Sequence, residues 1–193
     1  MINQKKISQA LATAMLSLAF EDQAYEALYT DLNLIKKFNI NDETLVNFLK
    51  NPWIDKPEKI NDIMQLKELF NYDKTVNLLA IMVQANVSYM LNKTISFLIR
   101  LLEEQLGIVE LKIYSTFNLD DLQTKQIEEA IRNNKDLLPT NFKEFKTIKE
   151  VDESLIGGIK VIINSKVIDN SLIQKLRSAK EANKLHQNTK LKE

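Results

Sequence analysis

The chain has 193 residues, of which 45% are hydrophobic and 27% charged, enough apolar material for one large domain or two small ones. Its 26 basic and 26 acidic residues give a formal net charge of zero, which argues against a general nucleic-acid binder. With no cysteine and one histidine, His186, it lacks the residues for disulfides, cysteine nucleophiles and thiolate or multi-histidine metal sites. We therefore expect no cofactor and no metal, and a solvated side chain at His186.

The N-terminal segment is predicted to be an amphipathic helix. Lys5 and Lys6 precede an apolar stretch, as in a secretory signal, but polar residues such as Ser8 and Thr13 recur through that stretch. The spacing is typical of a helix with one apolar face rather than of a cleaved signal. The apolar positions are Ile7, Leu11, Ala14, Met15 and Leu18. The longest uninterrupted apolar run, residues 78–83, is far below the ~18 residues that a membrane span needs.

Three further helices are predicted before residue 70. The second covers about residues 22–38, with Tyr25, Leu28, Leu32 and Ile35 at helical spacing. The third is short, is capped by Asn41 and ends before Pro52. The fourth begins after a cap at Asp55.

Two more helices complete the first half of the chain, which contains no glycine before Gly107. The fifth starts near Asp73 and carries Val76, Leu79, Ala80 and Val83. The sixth is apolar over a broad arc, which predicts a central place in a helical bundle. Its apolar positions are Leu91, Ile95, Leu98, Ile99, Leu102 and Leu106.

The second half is predicted to mix strands and helices. Val109, Leu111 and Ile113 alternate with polar residues, as in a half-buried strand, and a helix follows a cap at Asp120 or Asp121. Residues 142–151 are ambiguous, because their apolar residues recur every third position. A last helix is predicted from about residue 170, with Leu172, Leu176 and Ala179 on one side. After it comes a basic tail, either solvated or in contact with an acidic partner or a membrane surface.

Two adjacent glycines, Gly157 and Gly158, precede a β-branched run at residues 159–163. This pattern predicts a strand entered through a backbone conformation that suits glycine, although a simple β-bulge would give the same pattern. Asn164 and Ser165 then predict a tight turn into a shorter return strand. The spacing does not match a phosphate-binding loop. The acidic pair that begins at Asp152 is more typical of a cap than of an acid–base couple.

The segment Asp-Glu-Ser-Leu-Ile-Gly-Gly at residues 152–158, with Lys-Val-Ile-Asp at 166–169, resembles the C-terminal signature of the delta (OSCP) subunits of F-type ATP synthases. Three other stretches are similar to this family: the small-residue pattern of the first helix, residues 45–54 around Asn51-Pro52, and the apolar fifth helix from Leu78-Leu79 onward. The resemblance covers about residues 7–180. One departure is Leu11, where the family usually has a tyrosine, so a hydrogen bond from that hydroxyl cannot be assumed here.

The resemblance implies a mainly α protein, with an N-terminal six-helix bundle at residues 1–105 and a small α/β domain with a basic tail at 106–193. It also implies a strand at the ambiguous residues 142–151. The two glycines, with Asp152 and Asp169, would be structural residues that keep the second domain folded.

The resemblance further implies a non-catalytic stator on the cytoplasmic face of the cell membrane, attached to the membrane only through its complex. Such a protein links N-terminal segments of the alpha subunits to the b-subunit stalk and so supports proton-driven ATP synthesis. The first and fifth helices would border the alpha-binding groove. The residues implied there are Ala10, Ala14, Leu18, Val76, Leu79, Ala80 and Val83.

Two other classes of protein stay open on the sequence alone. One is a helical adaptor of a different or specialised ATPase-related assembly, which would recover other partners in a pull-down. The other is a small enzyme, which would show turnover in isolation. The sequence contains no Ser-His-Asp set, cysteine nucleophile or phosphate loop, and a bundle of amphipathic helices is better suited to binding another helix in a groove.

Overall fold

The computed structural model describes residues 4–42, 44–164 and 166–170. The predictions of a last helix, a basic tail and a solvated His186 lie outside these residues. The chain divides between Leu106 and Gly107 into two compact units, next to the boundary expected from the sequence. The described residues form seven α-helices, six in the first unit and one in the second, and a four-stranded sheet. A mainly α chain with a small α/β second part is therefore confirmed.

The first unit is built from six α-helices and two short 3₁₀ turns. Its hydrophobic core is continuous and includes residues from all six helices. Helix α6 packs against α1 and α2, and the predicted central place of this helix is confirmed by the burial of its apolar arc. The helices are α1 (Gln4–Glu21), α2 (Tyr25–Asp42), α3 (Thr44–Lys50), α4 (Lys56–Gln65), α5 (Thr75–Gln84) and α6 (Leu91–Leu106).

Two predicted boundaries around α2 are wrong. The backbone of Gln23 has a φ of 55°, which breaks the helical path at the α1–α2 corner, so α2 begins at Tyr25 rather than near Asp22. The prediction that Asn41 caps α3 is also wrong, because Asn41 lies in the last turn of α2. No glycine or proline precedes it in α2 to end that helix.

The second unit is a four-stranded sheet with one helix, α7 (Asp121–Arg132). The strand order is β2-β1-β3-β4, and β1 pairs with β2 in parallel and with β3 antiparallel. A parallel pair needs a crossover connection, which α7 supplies here. The strands are β1 (Ile108–Ser115), β2 (Glu144–Val151), β3 (Ile159–Ile163) and β4 (Lys166–Asp169).

The predicted strands of the second unit are confirmed. Burial alternates along β1, and its three buried apolar side chains form the core of the unit with residues from β3 and α7. The ambiguous segment forms a strand from Glu144 onward, and β3 and β4 form the predicted antiparallel hairpin. The helix cap is Asp120, whose carboxylate accepts a hydrogen bond from the backbone N–H of Gln123 at 2.7 Å.

Gly107 directly follows α6 and leads into β1. Its φ is +73°, a left-handed conformation that suits glycine. A Cβ atom at this position would lie 2.0 Å from the carbonyl oxygen of Asn141, in the loop before β2. The carbonyl of Gly107 accepts a hydrogen bond from the backbone N–H of Lys143 at 2.8 Å. Glycine is therefore required for the close approach of these two backbone segments.

Candidate partner-binding surfaces

Helix α1 presents apolar residues both to the core and to the outside. Ser8, Ala12, Met15 and Ala19 form its buried side. A second apolar stripe follows one edge of that side, where successive residues are separated by three or four positions and therefore share a face. Its members change from half-buried to exposed along the helix: Ile7, Leu11, Ala14 and Leu18. An apolar stripe outside the core is a candidate contact surface for another helix.

The implied site residues on α1 lie at the surface. Ala10 and Ala14 are exposed, and 39% of Leu18 is accessible to solvent. The two alanines would let a partner backbone approach closely because their side chains are short. The sequence pattern predicted Ala14 and Leu18 on the same apolar face as Met15, but Met15 alone of these three is buried.

The implied site residues on α5 lie mostly inside the protein. Val76, Leu79 and Val83 are at most 3% exposed and belong to the hydrophobic core, so they can shape a groove only from beneath. Ala80 is half-buried. Ile81, which was not predicted as a site residue, is 52% exposed on the outer face of α5. The apolar run at residues 78–83 could have predicted this exposure, because six consecutive apolar residues extend around all sides of a helix.

The start of α5 is held by a buried carboxylate that sequence analysis also missed. Asp31 of α2 is fully buried and accepts four hydrogen bonds. The donors are the backbone N–H (2.8 Å) and side-chain amide (3.0 Å) of Asn71, the backbone N–H of Tyr72 (2.9 Å) and the hydroxyl of Thr75 (2.8 Å). A negative charge at a helix N-terminus is favourable, and a buried charge is tolerated only when its hydrogen bonds are satisfied. Asp31 therefore fixes α5 relative to α2.

A second carboxylate ties the α1–α2 corner to the same turn. Asp22 accepts a hydrogen bond from the hydroxyl of Tyr72 at 2.6 Å and forms an ion pair with Lys74 at 2.7 Å. The bonds from Lys74 and Tyr72 hold the pKa of Asp22 below its usual value. Burial, with the bond to Asp22, raises the pKa of the Tyr72 hydroxyl. The elements that would border the predicted groove are thus fixed by polar contacts as well as by packing.

In the second unit, Asp152 organises the turn between β2 and β3. Its carboxylate accepts hydrogen bonds from the hydroxyl (2.6 Å) and backbone N–H (3.0 Å) of Ser154, which lower its pKa. Its own backbone N–H donates to Ser115 at the end of β1 at 2.8 Å. Gly158 has a φ of +84°, so the predicted glycine conformation at the entry to β3 is confirmed. Asp169 lies on β4 opposite Lys160 of β3.

One non-glycine residue in this turn also has a left-handed backbone. Ile156 has a φ of 57° and is 71% exposed. This conformation is rare for a β-branched residue, whose Cβ substituents crowd the backbone there. Because the side chain is exposed, packing against the protein gives it little compensation for this strain.

Neither unit, within the described residues, contains a cluster of acidic or histidine side chains arranged to hold a metal ion. None of the described helices is long and apolar enough to cross a membrane. The residues with lowered carboxyl pKa values hold turns and helix ends.

A sequence model of the ATP synthase delta (OSCP) subunit family matches residues 7–182, nearly the whole chain. The chain belongs to the ATP synthase delta (OSCP) subunit family. Members of this family are structural, non-catalytic subunits of the peripheral stalk of ATP synthase, and this chain has the delta subunit role. The resemblance found in the 152–158 turn is therefore confirmed over both units.

Individual relatives agree with this assignment. The chloroplastic ATP synthase subunit delta of Ochrosphaera neapolitana is 29% identical over 172 residues, covering 89% of this chain and 93% of the relative. The subunit delta of Bacillus cytotoxicus is 30% identical, with 88% and 91% covered. A chain in the cryo-EM structure of the Toxoplasma gondii mitochondrial ATP synthase hexamer has the same fold. Its TM-score is 0.69 at 16% identity, with 91% of this chain and 96% of that chain covered.

Proposed function

We propose that this delta subunit joins two parts of an ATP synthase that must not rotate relative to each other. In this proposal the first unit binds N-terminal segments of the alpha subunits, and the second unit binds the distal end of the b-subunit stalk. The protein would act at the cytoplasmic face of the cell membrane, held there through the complex, and would support proton-driven ATP synthesis. Its contribution is attachment rather than chemistry.

The observation that carries the alpha-binding part is the outer apolar stripe of α1, Ile7, Leu11, Ala14 and Leu18. An amphipathic partner helix presents apolar residues three and four positions apart, which is also the spacing of this stripe. The polar contacts of Asp31 and Asp22 stabilise α2 and the start of α5 as a rigid support. A rigid surface loses less conformational entropy when the partner binds.

The two-unit organisation supports the linking role. A stator needs long-lived attachment, and a standard protein interface buries on the order of 1,600 Å² in total. Two such contacts on one chain gain further from effective concentration, because release of one partner leaves the other attached. Each unit has its own hydrophobic core and can present its own contact surface.

The test is binding of alpha N-terminal peptides to the full chain, measured by fluorescence anisotropy. Ala14→Glu places a charge within the stripe and should weaken binding by about tenfold or more, the cost of burying an unpaired carboxylate. Thr13→Glu is the matched control, because Thr13 is exposed and points about 100° away around the same helix. Equal effects of the two substitutions would rule out the stripe as the binding surface.

The linking role is tested separately by pull-down from native membranes with identification of partners. Recovery of both alpha and b subunits is the expected result. Recovery of neither, with a different ATPase-related assembly in their place, would instead support the adaptor alternative.

A further inference from the structure

A second surface on the first unit lies away from the α1 stripe. A pocket of about 420 Å³ is formed where the loop between α3 and α4 meets the end of α5 and the turn before α6. No residue of α1 lines it. We propose that this pocket is a docking site for an acidic, partly apolar segment of a partner protein. The inference is independent of the alpha-binding role proposed for α1.

The pocket is built on a buried lysine. Lys59 is 6% exposed, and its ammonium group donates to the backbone carbonyls of Leu49 (3.1 Å) and Asn51. These carbonyls lie at the C-terminal end of α3, where a positive charge is favourable because the helix dipole is negative there. The side-chain oxygen of Asn51 accepts a hydrogen bond from the backbone N–H of Trp53 at 2.9 Å. The loop that carries the rim of the pocket is therefore held in place before any partner binds.

The pocket is positively charged. Three of its lining residues are lysines, Lys50, Lys56 and Lys59, against one acid, Asp55. The ammonium of Lys56 donates a hydrogen bond to the backbone carbonyl of Gln84 at 3.2 Å. This acceptor is neutral, and so are the two backbone carbonyls that accept from Lys59. Among the described residues no ion pair neutralises any of the three lysines. Carboxylates of an incoming segment would meet uncompensated positive charge there.

Two exposed aromatic residues, of types typical of binding hot spots, accompany the pocket. Trp53 does not line the pocket itself, but it stands in the chain between two lining residues, Pro52 and Ile54, and it is 93% exposed. Tyr89 lies in the short turn between α5 and α6, lines the pocket and is 51% exposed. Tryptophan and tyrosine dominate the energetic centres of protein interfaces. A partner that covers Trp53 would bury a large apolar side chain that now faces water.

Charge and apolar surface together select the occupant. An acidic segment with apolar residues between its carboxylates would pair its charges with Lys50 and Lys56, and would place its apolar side chains against Trp53 and Ile54. A basic segment would be repelled. The expected binding is salt-sensitive, because the charges at the rim are screened within about 10 Å at 0.1 M ionic strength.

The test uses three end-capped 14-residue peptides with leucine at identical positions and glutamate, glutamine or lysine at the remaining positions. They contain no aromatic residue, so all emission excited at 295 nm comes from Trp53, the sole tryptophan of the chain. We expect a saturable change in that emission with the glutamate peptide, at an affinity at least about tenfold higher than with the lysine peptide. We take a dissociation constant of about 1 mM as the weakest relevant affinity. If the emission does not saturate with the glutamate peptide at concentrations up to about 1 mM, the proposal is overturned.

Charge reversal then localises the site, with fluorescein-labelled peptide and anisotropy as the readout. The double variant Lys50→Glu/Lys56→Glu should lose about tenfold or more in affinity. Lys6→Glu/Lys37→Glu, at exposed positions on α1 and α2, makes the same change in net charge and should stay within about twofold of the wild type. Equal losses in the two variants would overturn the proposal. Trp53→Ala, in which the lysines are intact, should also weaken binding, and circular dichroism confirms folding of each variant.

Discussion

Replacement of Asp31 by alanine should destabilise the first unit more than any surface substitution. The change removes a carboxylate that accepts four hydrogen bonds at the start of α5. The donors on exposed Asn71 can turn to water, but the backbone N–H of Tyr72 and the hydroxyl of Thr75 are buried. Two buried donors left without an acceptor, at ~1–3 kcal/mol each, give an expected loss of about 2–6 kcal/mol in the free energy of unfolding. Asp31→Asn can turn its one acceptor oxygen to both buried donors, which share Oδ2 in the wild type, and should therefore lose less than Asp31→Ala.

The assay is urea unfolding of the full chain followed by circular dichroism at 222 nm, where the helices of the first unit contribute most of the signal. The matched control is Asp62→Ala on α4. Asp62 is half-buried, and no hydrogen bond or ion pair joins it to other described residues. Its replacement should change stability by no more than about 0.5 kcal/mol. If Asp31→Ala loses no more stability than Asp62→Ala, then the Asp31 contacts do not hold α5 in solution.

Three further substitutions test the turns and the pH dependence by the same unfolding measurement. Gly107→Ala should lower the free energy of unfolding by about 2–5 kcal/mol, because it adds backbone strain in the left-handed region and a Cβ that collides with the Asn141 carbonyl. Gly158→Ala should lower it by about 1–2 kcal/mol, because it adds the backbone strain alone. A larger loss for Gly158→Ala than for Gly107→Ala would refute this account. Ile156→Asn should raise stability by about 0.5–1 kcal/mol, because asparagine tolerates the left-handed backbone, and a loss would mean that Ile156 packs in solution. The pKa of Asp22 is lower in the folded protein than its usual value of 3.8. Asp22 therefore stabilises the fold at pH values above 3.8, and this contribution disappears as the pH falls through the pKa of the folded state. The stability gap between wild type and Asp22→Asn should therefore close in strong acid, and a gap that widens there would contradict the ion pair.

The elements predicted well from the sequence are those with a strong periodic signal. The apolar arc of α6 and the alternation along β1 each follow one period over many residues, and burial confirms both. Residues 142–151 had no clear period, because β2 is an edge strand whose side chains are half-buried or exposed with little alternation. Its parallel pairing with β1 depends on contacts across more than thirty positions, which local pattern does not encode.

The site residues were harder to predict, because exposure is a property of packing. The stripe on α5 was predicted as a binding edge, yet Val76 and Leu79 are fully buried. Asp31 did leave a signal: it occupies a position on the same helical face as Leu28, Leu32 and Ile35, where an acid needs buried partners. Nothing local predicts the left-handed backbone of Ile156, since a β-branched residue is among the least expected there.

The covalent link between the two units enters the sheet at the first residue of β1, one of its two inner strands. Tension that travels along the chain from α6 through Gly107 reaches β1, which is hydrogen-bonded to β2 on one side and β3 on the other. A pull along that strand loads both ladders in shear, so many bonds must yield at once. The opposite end of the described chain leaves from β4, an edge strand with one neighbour, where the bonds could open one after another. We therefore expect a pull along the strands to meet more resistance at β1, with two paired neighbours, than at β4, with one.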